Sequence, residues 1–150
     1  MALTKFDIIS HMLRVLDSRI AEIETAIASA KEARDNESKS SAGDKYETGR
    51  AMLQIELDNL EHQLKNQLEL KTEILRVNPE LTTEKISFGS LISSTNGTYF
   101  IAIGLGKILI GNETVYAISL ASPLGQALKG AQKDNTISLN GKSITINHVL

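Results

Sequence analysis

The stretch KFDIISHMLRVLDSRIAEIETAIASAKEAR, residues 5–34, decides the architecture. Phe6, Ile9, Leu13, Leu16, Ile20, Ile23, Ile27 and Ala30 recur at alternating steps of three and four. That is the a/d seam of a heptad, held for more than three repeats. After Arg34 the pattern gives way to Asp35-Asn36-Glu37-Ser38-Lys39-Ser40-Ser41-Ala42-Gly43, whose residue types favour turns. A second seam follows in Tyr46, Leu53, Leu57, Leu60 and Leu64, drifting to Leu68 and Leu75. Neither stripe can be buried by its own helix. A short polar loop between two heptad helices makes an antiparallel hairpin the economical solution.

Outward from the hairpin the chemistry changes near Asn78-Pro79. Residues 1–77 carry 11 basic and 14 acidic side chains, whereas residues 78–150 carry 5 and 4. Only Gly43 and Gly49 precede the boundary, and the other eight glycines follow it. Pro79 disfavours helix at Asn78 and cannot continue a helical hydrogen-bond ladder. The expected domains are a coiled-coil hairpin over 1–77 with its tip near 35–47, a linker at 78–84, and a small domain over 85–150. In the last, strands are predicted at 86–93, 98–103, 107–110, 114–119, 136–139 and 143–149. Asn96-Gly97, Gly111-Asn112 and Asn140-Gly141 supply the turns. Ser122-Pro123 opens a short helix and Gly130 closes it. The fold class is α+β, an antiparallel sheet carrying one helix.

The whole chain has 150 residues, 16 Lys+Arg, 18 Asp+Glu and a net charge of −2, which argues against general binding to nucleic-acid backbone. With no cysteine, disulfides, thiolate nucleophiles and cysteine-based zinc sites are excluded. His11, His62 and His148 have no metal-ligand spacing. No secretory signal or membrane-length apolar run is present, so a soluble, cytoplasmic protein is expected. No phosphate-cradling glycine loop and no nucleophile–histidine pairing is found.

The stretch Ile118-Ser119-Leu120-Ala121-Ser122-Pro123-Leu124-Gly125-Gln126-Ala127-Leu128-Lys129-Gly130 resembles the signature of the bacterial Gre-type transcript cleavage factors. Gly89-Ser90, Tyr99 and Gly104 extend the resemblance, and the hairpin has the family's length and place. The resemblance implies an FKBP-like C-terminal domain that docks at the secondary channel of RNA polymerase, through Ser122, Pro123 and Leu124. It also implies a hairpin tip that enters the channel and stimulates cleavage of backtracked RNA by the polymerase itself.

The chain would bind no cofactor alone; its tip would share Mg²⁺ with the polymerase site and meet the nascent RNA 3′ end. Neither independent DNA binding nor membrane association is implied, and a self-paired hairpin favours a monomer. Tyr46 and Arg50 match the family's tyrosine and arginine, which makes Tyr46 a candidate polymerase contact as well as the seam residue that closes the hairpin. Lys39, Ala42 and Lys45 stand where acids are usual, which leaves Asp44 and Glu47, three residues apart, as the candidate metal-assisting pair. The same pair also reads as a capping box. Glu32, Asp35 and Glu37 read as a solvated face. Arg50 falls in seam register, and is a candidate contact for polymerase or RNA. A non-cleaving channel regulator is the competing function. Proline isomerisation has only Phe88, Tyr99, Phe100 and Tyr116 to build an aromatic pocket.

Overall fold

The computed structural model describes residues 3–40 and 44–150, without the side chains of 38–40 and 44–46. The chain runs α1 (Lys5–Ser40), α2 (Asp44–Leu75), β1 (Leu91–Ser94), β2 (Gly97–Ile101), β3 (Gly106–Ile110), β4 (Glu113–Ile118), α3 (Pro123–Leu128), β5 (Thr136–Leu139) and β6 (Lys142–Val149). It divides into two compact units, Arg14–Lys71 and the combination of Met1–Leu13 with Thr72–Leu150.

In the unit Arg14–Lys71 the two helices pair antiparallel. Lys71 Nζ meets Asp17 Oδ1 at 2.7 Å, and Arg34 Nη1 donates to Gln54 Oε1 at 3.1 Å. Nearer the turn, Glu37 lies over Gly49. As residue numbers rise along α1 they fall along α2, which is the register of a hairpin. Leu16, Ile20, Ala30 and Leu57 are buried in the seam, with Ile23, Ile27, Leu53, Leu60 and Leu64 half-buried beside them. The expected drift to Leu68 and Leu75 does not occur, for they are 45% and 59% exposed. The three–four spacing instead continues through Gln67, Lys71 and Ile74. Polar side chains at two of these positions hide the stripe from a reading based on apolar residues.

The other unit contains the start of α1. Thr4 and Asp7 cap it reciprocally, Asp7 N donating to Thr4 Oγ1 and Thr4 N to Asp7 Oδ2, each at 3.1 Å. Phe6, expected in the seam, is 66% exposed. Ile9 is buried as expected, and Lys5, Ile8 and Met12 are buried with it. This end of α1 belongs to the unit that also holds the sheet.

The sheet order is β3-β4-β2-β1-β6-β5. The expected antiparallel sheet is mixed, since β2 and β4 run parallel from Thr98↔Val115 to Ile101↔Ile118. The β3–β4 hairpin folds back so that β4, with Val115 and Ala117 buried, lies inside, while β3 takes the edge with Lys107 and Leu109 exposed. β1 starts at Leu91 rather than Ile86, although Ile86 remains 1% exposed in the core.

On one face Ile92, Tyr99, Ile101, Ile144 and Ile146 pack with Leu128 of α3. The opposite parity of β1, β2 and β4 buries Leu91, Phe100, Val115 and Ala117. At the β5–β6 turn both Asn140 (φ 52°) and Gly141 (φ 78°) are left-handed, as a type I′ turn requires. No helix among the described residues is long and apolar enough to cross a membrane.

Candidate functional site

Two sets of candidate residues lie in separate units. At the hairpin turn, α2 begins at Asp44, so Asp44 and Glu47 both fall in its first helical turn. The Glu47 side chain is exposed. The side chains of Asp44 and Tyr46 lie outside the described residues, so neither the capping-box nor the metal-assisting reading of Asp44 gains a contact. An acid in this first turn is favoured by the positive end of the helix dipole.

Glu37 departs from the solvated face expected of it. It is half-buried, and a Cβ built on Gly49 would meet its Oε1 at 2.5 Å. The signal for this contact was Gly49 itself, because glycine inside a helix costs about 1 kcal/mol relative to alanine and marks a close approach when it persists. Glu32 and Asp35 are exposed, and Asp35 Oδ1 lies 3.6 Å from Arg34 Nε. Arg50 is half-buried on α2. Gln54 joins the arms just below, accepting from Arg34 and donating through Nε2 to Asp58 Oδ1 at 3.0 Å.

In the sheet unit Ser122 is the N-cap of α3 with extended backbone, φ −67° and ψ 156°. Its Oγ accepts from Gly125 N at 3.0 Å and donates to Ser119 O at 2.7 Å. The hydroxyl proton is therefore committed within the turn, and the side chain contributes shape rather than a free donor. Pro123 follows at the start of the helix and is exposed. Leu124 is half-buried and packs against the core cluster, which leaves part of its surface beside Pro123. Gly125 lies so close under the Ser119 carbonyl that a Cβ there would collide with its oxygen. The Ser-Pro-Leu-Gly sequence thus has a local structural reason at every position.

Among the described residues no three His, Cys, Asp or Glu side chains gather as a metal cluster. Tyr99 and Tyr116 stack tilted at 5.6 Å and belong to the packed cluster around Ile92. Phe100 is fully buried.

No protein-family model matches the chain, and no curated protein matches it in sequence. Among solved structures it is similar to GreA factor homolog 1 (Gfh1) of Thermus thermophilus. That match has 17% identity, covers 91% of this chain and 93% of that one, and gives a TM-score of 0.36. A second structure, of the transcription factor Gfh1, has 18% identity, 91% coverage of each chain and a TM-score of 0.37.

Proposed function

We propose that this chain is a Gre-type transcription factor that binds bacterial RNA polymerase at its secondary channel and stimulates cleavage of backtracked RNA. One observation carries the reading. A chain with an antiparallel two-helix hairpin also holds a Ser122-capped, Pro123-led helix whose Gly125 tucks beneath the Ser119 carbonyl. The resemblance to Gre factors rests on that same stretch.

The division of labour follows from the parts. Pro123 and the open side of Leu124 give the polymerase a small apolar contact, held rigid by the Ser122 cap. α1, with 36 residues, is about 54 Å long, enough to carry its turn deep into a channel. There the exposed Glu47 carboxylate, with Asp44 in the same first turn of α2, presents oxygen ligands at the polymerase's catalytic centre. A second Mg²⁺ held there would stabilise the attacking and leaving oxygens of phosphodiester hydrolysis. The chain needs no catalytic pocket of its own.

A second reading has its own support. Glu37 is held against Gly49, and Lys39 and Lys45 replace expected acids, so the turn offers less negative charge than metal recruitment calls for. A non-cleaving factor would occupy the channel and exclude true cleavage factors. The deciding experiment is transcript cleavage in a backtracked elongation complex, with binding measured in the same sample. Shortening of the RNA 3′ end that is lost in D44A/E47A, at unchanged affinity, supports cleavage. Binding without shortening leaves the blocking reading.

A further inference from the structure

Lys5, the first residue of α1, is 8% exposed, yet its ammonium makes no ion pair among the described residues. Its one hydrogen-bond partner among the described residues is neutral: Nζ donates to the Leu81 carbonyl at 2.6 Å. Two of its three N–H groups have no acceptor among the described residues, and Lys5 lines a cavity of about 140 Å³. The wall also holds Arg76 and Asn78, and no acid.

The hydroxyls of Thr83 and Ser90 are engaged locally. Thr83 Oγ1 donates to Lys85 O at 2.8 Å, and Ser90 Oγ accepts from Ser87 N at 2.9 Å. Asn78 Oδ1 accepts from Glu80 N, which leaves its amide N–H groups. Arg76 pairs with Glu73 at 3.3 Å across an exposed surface, where such a pair holds weakly. The unused polar capacity of the wall is thus dominated by donors, and its net charge is positive even when Glu73 is counted.

A buried ammonium without a counter-charge is costly, and an anion bound beside it would offset that cost. Size limits its identity. Drug-sized and cofactor pockets run from about 300 to 1,000 Å³, so this cavity excludes a nucleotide and suits a single compact oxyanion. We propose that Lys5, Arg76 and Asn78 form a binding site for a compact oxyanion, either a phosphate or a carboxylate. All the residues involved lie within one compact unit, and the proposal is independent of polymerase binding.

The test is a titration of the full chain with inorganic phosphate, and separately with acetate, against sodium chloride at matched ionic strength, read by amide NMR shifts. The site gives saturable shifts at the Leu81, Gly89 and Ser90 amides. Phosphate acting alone assigns it to phosphates, and acetate acting equally assigns it to carboxylates. K5M, which replaces a buried charge by an apolar chain of similar length, abolishes the response. R76Q, exposed and harmless to folding, weakens binding about tenfold. Absence of saturable shifts with both anions overturns the site, as does an unchanged midpoint in R76Q.

Discussion

Gly125 shows how much a single hydrogen atom decides. Any side chain there strikes the Ser119 carbonyl, which is backbone and cannot swing aside. Gly125→Ala is expected to cost about 1–3 kcal/mol, read from urea denaturation. Gly104→Ala is the control, since a Cβ at Gly104 meets nothing within 4 Å. With its backbone outside the left-handed region, that change should be neutral or stabilise by about 0.4–1 kcal/mol. The Ser122 cap was legible because serine before proline and an apolar run is a helix start with a mechanism. The need for glycine at 125 was visible only as part of a resemblance. Its cause is a carbonyl six residues upstream, in the turn that leads into the helix, and residue types alone do not report that close approach.

The hairpin illustrates the same limit along a whole helix. Its seam was readable wherever apolar residues marked it, and was lost where Gln67 and Lys71 took seam positions. Lys71 resolves its placement by reaching Asp17. Gln67 does not, for its Oε1 is buried with no hydrogen-bond partner. Gln67→Leu is therefore expected to raise stability by about 1 kcal/mol, measured as a higher denaturation midpoint at unchanged slope. A polar side chain in a seam can fix register at some cost in stability, so the variant should also tolerate misaligned pairings better. The hairpin pairs β1–β2, β3–β4 and β5–β6 were legible from their turn residues, whereas the β1–β6 pairing has no turn to announce it. The parallel β2–β4 pairing was not legible either, because alternation tells which face a residue takes but not which strand lies beside it.

For the molecule as a whole, alkaline stability reflects two buried groups that act in opposite directions. Burial holds the Lys5 ammonium below the ordinary lysine value of 10.5. Between its folded value and 10.5 the unfolded chain binds more protons, so stability rises with pH there. Burial, and then the charge of Tyr116, push the Tyr99 phenol above 10.0. Above pH 10.0 the folded chain keeps the proton that the unfolded chain loses, so stability falls. K5M should accordingly lose the rise in stability between the folded lysine value and 10.5, and Y99F should blunt the decline above 10.0. Urea midpoints across that range check both.

The division into units has a consequence for synthesis. Arg14–Lys71 is continuous in the chain, whereas Ile8 and Met12 belong to a unit whose remaining residues are Thr72–Leu150. On the ribosome the hairpin arms are complete long before the sheet exists. At ~5–20 residues per second, making Thr72–Leu150 after the hairpin arms takes roughly 4–16 s, and until then the unit that holds Ile8 and Met12 is incomplete. Nascent chains stalled before β6 should therefore be the forms that chaperones hold.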